Sequence, residues 1–239
     1  MQDNIKISVI IPTYNEESNV PTLLQRTHDI LKTASQTHEL IVVDDGSKDS
    51  TRAKVRELQK TIPEIVLIER DTERGLASAM VRGYNEARGE YLAAMDADLA
   101  HDPKHFPEMI ALLDSGQADF VIGSRYLPES RFEGKPLLNK ITSLVGQFLV
   151  KIILQVKIKD TSNNYRIFRR SVWEKIKDKL HPDGNIMLTE IVYLAAKNNF
   201  VIREVPIIYC ERRAGKSKLN IFKETVRFFK NINRIKRGG

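Results

Sequence analysis

The chain has 239 residues, 41% hydrophobic and 29% charged, enough for one large domain or two small ones and unlike a disordered tail protein. Its single cysteine, Cys210, excludes a disulfide framework and a cysteine-based zinc site, and its longest apolar run, 191–196, is far short of the about 20 residues a spanning helix needs. The net charge of +7 is concentrated: 211–239 holds ten Lys/Arg against two acids, a basic segment suited to an anionic surface on a near-neutral body.

The first residues, from Met1 to Lys6, form no apolar leader, so the chain is expected in the cytoplasm. A β-branched strand over 5–11 ends at Pro12. Val20, Leu23, Leu24, Thr27, Ile30 and Leu31 then follow at helical spacing. A second strand over 39–43 stops at Asp44-Asp45-Gly46-Ser47, and a helix over 50–59 takes Asp49 or Ser50 as its cap. Strands at 65–68, 91–95 and 120–122 alternate with helices at 76–87 and 106–113. This alternation predicts βαβ units and a mostly parallel sheet, with ligands beyond the carboxyl ends of its strands. Beyond Arg125 the alternation weakens. A helix is expected over 138–154, a polar stretch over 160–166, a helix over 188–197 and an edge strand over 201–208 containing Pro206.

The polar clusters fall at the strand ends. Asp96 and Asp98 stand at i and i+2 after an apolar strand and point to one side, a costly pairing unless a cation sits beside them. Hard oxygen donors suit Mg²⁺ or Mn²⁺ bridging a diphosphate. The plainer reading makes both acids loop caps. Asp44-Asp45-Gly46-Ser47 reads as a turn with a helix cap or as a nucleobase acceptor. Pro12-Thr13-Tyr14-Asn15-Glu16 reads as a capped turn or as a stacking tyrosine with a ribose-binding acid. A nucleic-acid module would spread basic and aromatic residues over one face, and a dinucleotide oxidoreductase would carry G-x-G-x-x-G after the first strand. Neither pattern is present.

As an ordered set the motifs resemble the family-2 glycosyltransferases with the GT-A fold, and within them the dolichyl- or polyprenyl-phosphate mannose synthases. They are P-T-Y-N-E at 12–16, V-V-D-D-G-S at 42–47, Gly75 with Ala77 and Ala79, M-D-A-D-L at 95–99, His101 with Pro103, G-S-R-Y at 123–126, E-V-P-I at 204–207 and the R-x-x-G-x-S-K-L run at 212–219. The resemblance implies a Rossmann-like, mostly parallel sheet flanked by helices, with an acceptor-side extension. The catalytic domain would occupy 1–218, with a nucleotide-sugar half at 1–125 and an acceptor half at 126–218, and a basic amphipathic helix would follow at 219–239. It further implies that Pro12, Tyr14, Glu16, Val43 and Asp45 hold base and ribose, and that Asp96, Ala97 and Asp98 line the Mg²⁺ or Mn²⁺ ion and the diphosphate. Arg125, Lys140 and Ser143 would meet the acceptor phosphate, and Arg212 and Lys218 would close over the diphosphate. The implied reaction is inverting transfer of mannose from GDP-mannose to polyprenyl phosphate. A UDP-glucose-dependent enzyme is the alternative within the class, and an inactive glycosyltransferase-like scaffold the alternative outside it.

The chain departs from the family in three places. Ala100 stands where the family often has Gln. Asn139-Lys140 replaces Arg-Lys. Asp160-Thr161-Ser162-Asn163-Asn164-Tyr165-Arg166 replaces a glycine-containing run, and because Asn tolerates positive φ the turn is expected to survive.

Lys223, Arg227, Lys230 and Arg234 form one helical stripe, with Phe222, Val226, Phe228, Phe229, Ile232 and Ile235 covering the other side. This helix either lies in a membrane interface or packs its apolar face on the body. Leu144, Phe148, Ile152 and Ile153 pose the same choice. The expected setting is peripheral, on the cytoplasmic face of a membrane, with a small membrane subunit as a possible partner and no nucleic acid.

Overall fold

The computed structural model describes residues 5–133, 151–184, 186–210, 231–232 and 234–236. The elements run in chain order as β1 (Ile7–Thr13), α1 (Val20–Thr33), β2 (His38–Asp44), α2 (Thr51–Gln59), β3 (Ile65–Glu69), α3 (Leu76–Glu86), β4 (Tyr91–Ala94), α4 (Phe106–Asp114), β5 (Phe120–Ser124), β6 (Arg131–Glu133), β7 (Arg166–Arg169), α5 (Arg170–Ile176), α6 (Ile186–Lys197), β8 (Ile202–Pro206) and β9 (Ile208–Cys210). Seven strands form one sheet in the order β3-β2-β1-β4-β7-β5-β8. All its pairings are parallel except those of β7, which runs antiparallel between β4 and β5. β6 and β9 form a separate parallel pair.

Strands with both faces covered read as continuous apolar runs, and β2 is buried along its whole length. One face meets α1, α2 and α4: Ile7, Val9 and Ile11 of β1 pack with Leu23, Leu24, Val55, Phe106 and Met109. The other meets α3, α5 and α6: Ile10, Leu92 and Phe168 pack with Met80, Tyr84, Trp173 and Ile191. α1 buries Val20, Leu23, Leu24, Thr27, His28 and Leu31, a stripe of helical period.

Several expectations change. Residues 201–208 do not form one strand: β8 ends at Pro206, Ile207 turns into the core, and β9 begins at Ile208. β8 does lie at the sheet edge. The polar stretch at 160–166 runs into β7, which the alternation did not signal. Asn163 and Asn164 keep negative φ, so the loop holds its course without the left-handed residue expected there. Asn19 stands at the N-cap of α1. The helix expected over 138–154 is described only at 151–154, where Ile152 is 58% exposed and Ile153 packs against a small cluster. That cluster includes Ile232 and Ile235, 1% and 2% exposed, beside Leu154, Val156 and Ile186. At these two positions the C-terminal helix packs on the body. No described helix is long and apolar enough to cross a membrane.

Candidate active site

The carboxyl ends of β1, β2 and β4 and the start of antiparallel β7 meet at one sheet edge, with Ala94 paired to Arg166. Beyond β1, Tyr14 is 36% exposed. The Asn15 backbone adopts φ 56° and its side chain accepts from Lys48 N at 2.8 Å, tying the loop after β1 to the loop after β2. Glu16 N donates to Thr51 Oγ1 at 2.9 Å, and Glu16 Oε2 accepts from Asn19 Nδ2 at 2.8 Å. Pro12 is half-buried within β1.

The two adjacent acids after β2 have different jobs. Asp44 is fully buried and bound by Arg52, Ser47 and Thr13, so it anchors the turn. Asp45 stands at the edge, accepting from Gly75 N at 2.6 Å and paired with Arg70 Nη1 at 3.2 Å. Gly46 makes the turn between them and the helix with φ +80°. Val43 is 0% exposed in the core, so its side chain is not at the edge where a ribose contact was expected.

Asp96 and Asp98 follow β4. Asp98 is 3% exposed and its Oδ1 accepts from Ala100 N at 3.0 Å. Ala97 turns its side chain into the core. Leu99 adopts φ 60°, a left-handed conformation that costs a non-glycine residue about 1–3 kcal/mol and recurs at functional sites. Asp96 Oδ1 accepts from Asn164 Nδ2 at 2.9 Å, while Asn164 Oδ1 is buried without a partner. His101, 1% exposed, stacks on Tyr165 at 5.2 Å with neither ring nitrogen in a well-formed hydrogen bond. Burial pushes its pKa down, against the opposing fields of Asp96 and Asp98. Among the described residues no third His, Cys, Asp or Glu joins this pair. Two carboxylates beside an orphaned amide oxygen still make an all-oxygen donor set that fits Mg²⁺ or Mn²⁺.

Arg125, expected to face phosphates, is committed at 14% exposure. Its N, Nε and Nη2 donate to the fully buried Asp160 at 3.0, 2.7 and 2.8 Å, and Nη2 also reaches Ser162 Oγ at 3.1 Å. Burial disfavours its charge, but Asp160 outweighs burial and holds the guanidinium more firmly protonated than a free arginine. The Lys159 and Asp160 amides in turn donate to Glu204 at 2.9 Å each. Arg166 is 0% exposed and pairs with carbonyls instead of acids: those of Thr161, Asn163 and Leu188. Burial pushes its pKa down to about 10, so it stays charged at neutral pH and staples the 161–163 loop to α6.

Cys210 N donates to Ala100 O at 3.1 Å, and His101 bridges Tyr209. The chain therefore enters 211–230 from beside the Asp96/Asp98 loop. Arg212 and Lys218 lie outside the described residues, as do Lys140 and Ser143. Sequence reasoning missed Arg70 and Asn164. Arg70 carried a readable signal, a base in the charged pair Glu69-Arg70 that ends the apolar run 65–68. Asn164 carried none, because its neighbour Asp96 lies 68 residues away.

Residues 8–177 match the family described as glycosyl transferase family 2. The chain is 37% identical to a Pyrococcus furiosus protein named dolichol-phosphate mannosyltransferase, over 90% of this chain and 59% of that one. It is 36% identical to the polyprenol monophosphomannose synthase of Mycolicibacterium smegmatis, over 89% of this chain and 80% of the relative. It is 33% identical to a dolichyl-phosphate beta-glucosyltransferase of Dictyostelium discoideum, over 98% and 75%. Glucosyl-3-phosphoglycerate synthase of Mycobacterium tuberculosis, solved with Mn²⁺, UDP and phosphoglyceric acid, shares the fold with a TM-score of 0.70 at 16% identity, over 97% of this chain and 77% of that one. The same enzyme solved with Mg²⁺ and UDP also gives 0.70, over 97% and 78%.

Proposed function

We propose that this chain, which belongs to glycosyl transferase family 2, transfers mannose from GDP-mannose to a polyprenyl or dolichyl phosphate at the cytoplasmic face of a membrane. The observation that carries the reading is the meeting, at one sheet edge, of the Asp96/Asp98 pair with the backbone of Cys210, from which the Arg212–Lys218 run departs. The curated relatives named for dolichol- and polyprenol-phosphate mannosyl transfer support the sugar and the acceptor class.

In this reading Tyr14 stacks on the base, and Glu16 and Asp45 accept hydrogen bonds from ribose or base. Asp96 and Asp98 hold the divalent ion, which when bound supplies positive charge that stabilises the departing diphosphate. Arg212 and Lys218 close over the same diphosphate and exclude water that would hydrolyse the donor. The acceptor phosphate has a second pKa near 6, so its oxygen is already anionic at neutral pH and no general base is required. That oxygen attacks the anomeric carbon, the bond to the diphosphate breaks, and configuration inverts. Arg125, aligned by Asp160, with Lys140 and Ser143, orients the incoming phosphate. The basic 212–237 region draws the protein to an anionic leaflet at roughly 1 kcal/mol per residue near the surface, with a small membrane subunit as a further partner.

The Dictyostelium relative's name supports glucose as the sugar of a second reading, in which UDP-glucose would be the donor. The test is transfer into polyprenyl phosphate in liposomes with Mg²⁺ or Mn²⁺. EDTA-sensitive label from GDP-mannose is expected, and it should vanish in a folded Asp98→Ala variant. Label from UDP-glucose alone would move the donor to the second reading, and full turnover by Asp98→Ala would refute the metal site.

A further inference from the structure

We propose that Asn164 is itself a ligand of the divalent cation, its side-chain carbonyl oxygen supplying a neutral third donor beside Asp96 and Asp98. The inference rests on the metal-site reading above and goes beyond it by assigning a residue outside the D-x-D segment.

The geometry fixes the amide's direction. Asn164 is 3% exposed. Its Nδ2 is spent on Asp96 Oδ1 at 2.9 Å, so Oδ1 is necessarily the other end, and that oxygen is buried with no hydrogen-bond partner. A buried carbonyl left unpaired costs about 1–3 kcal/mol, and native proteins keep such a group chiefly where something else completes it.

The side-chain amide and guanidinium donors of the adjoining loops are already committed. The Asn163 amide is bound to Gly123 O, Arg166 to the carbonyls of Thr161, Asn163 and Leu188, and Arg125 to Asp160 and Ser162. Ala100, two residues past Asp98, has no side-chain oxygen, and its amide is spent on Asp98 Oδ1. A hard cation drawn to the two carboxylates would find in Asn164 Oδ1 an amide oxygen of the kind such ions take. A neutral donor is also the economical choice, since a third carboxylate would add repulsion to a pair that already repels. Arg166 ties the carbonyls of this loop to α6, and the hydrogen bond to Asp96 couples ligand and carboxylate orientation.

The test is direct titration of Mn²⁺ with the full chain, read by the electron paramagnetic resonance signal of free Mn²⁺, with and without GDP. Asp98→Ala should abolish binding, which checks the underlying reading alone. Asn164→Ala should weaken Mn²⁺ binding by about tenfold or more with the circular dichroism spectrum unchanged. Asn164→Asp, which keeps an oxygen there, should bind at least as tightly as wild type. Asn164→Cys should exchange Mn²⁺ preference for Cd²⁺ and show a thiolate-to-cadmium charge-transfer band that the wild type, with Cys210 alone, lacks. Mn²⁺ binding by Asn164→Ala within about twofold of wild type, while Asp98→Ala binds none, would overturn the inference and leave the reading intact. Equal loss of both metals in Asn164→Cys would overturn it too, reducing Asn164 to a positioning residue for Asp96. Absence of Mn²⁺ binding by the wild type would overturn both.

Discussion

Replacing Asp160 by Asn removes one charge and changes almost no volume, so it isolates what the Asp160–Arg125 pair does. Asp160 is 0% exposed and takes three hydrogen bonds from Arg125, whose side chain is 14% exposed. Breaking such a pair from one side leaves a guanidinium without compensation in a low-dielectric site, at about 3–5 kcal/mol. For a chain of this size 1 kcal/mol moves the melting temperature by about 2–4 °C, so the variant should melt about 6–20 °C lower. Deleting both charges should recover part of the loss, because a buried pair and its apolar replacement are often nearly equal in stability. Recovery should be incomplete, since Arg125 also reaches Ser162 and lies over the Tyr126 and Tyr209 rings. The assay is thermal and urea unfolding of wild type, Asp160→Asn, Arg125→Leu and the double variant, analysed as a double-mutant cycle. An Asp160→Asn loss below about 1 kcal/mol, or a double variant no more stable than Asp160→Asn, would refute the idea that a compensated buried charge fixes this corner.

Three further outcomes follow from the packing. A Cβ at Gly89 would lie 2.6 Å from Ser8 N and 2.8 Å from Ile7 C, backbone that cannot step aside, so Gly89→Ala should cost about 2 kcal/mol or more by urea unfolding; a neutral variant would mean β1 can shift. His38 has its pKa lowered by burial, and His28 at 3.1 Å pushes the same way, opposed by the Gln36 carbonyl and the field of Glu64. The folded state therefore binds fewer protons than the unfolded one. Its stability is full above the ordinary histidine value of 6.5 and is lost as pH falls below it. The urea midpoint should drop between about pH 7.5 and about pH 5.5, less steeply in His38→Gln, and equal slopes would exclude His38 as a source. Ile235→Ala should cost about 2 kcal/mol or more by the same assay, since Ile235 is 2% exposed beside Ile232 and Val156; no loss would mean the helix end does not depend on this packing.

The parallel framework was legible because buried strands such as β2 read as unbroken apolar runs that stop at acids. What stayed hidden was where a charge could be buried. β7 reads Arg-Ile-Phe-Arg, and a sequence pattern gives no reason to place Arg166, 0% exposed, in the middle of a sheet. Its position is fixed by carbonyls that only the folded loop assembles. The acids at strand ends were legible as a set, but their division of labour was not. Nothing in Asp44-Asp45 says that the first is an anchor for Arg52 and the second lies at the edge. Arg125 was found as a strand-end charge, whereas its partner lies 35 residues on. Val43 followed from resemblance alone, and in β2, covered on both faces, its side chain joins the cluster of Ile10 and Met80.

The place of β7 also sets the order in which the molecule can be completed as it leaves the ribosome. β5 is bonded to β7 and β8, both later in the chain, and β4 has only β1 until β7 arrives. When residue 125 emerges, the sheet is therefore split at its centre, with two open edges that invite pairing with the wrong chain. A fragment ending there lacks the strand that joins β4 to β5. The strand that closes the gap is also the one preceded by Asn163 and Asn164. Asp96 therefore gains its amide partner in the same event that seals the sheet.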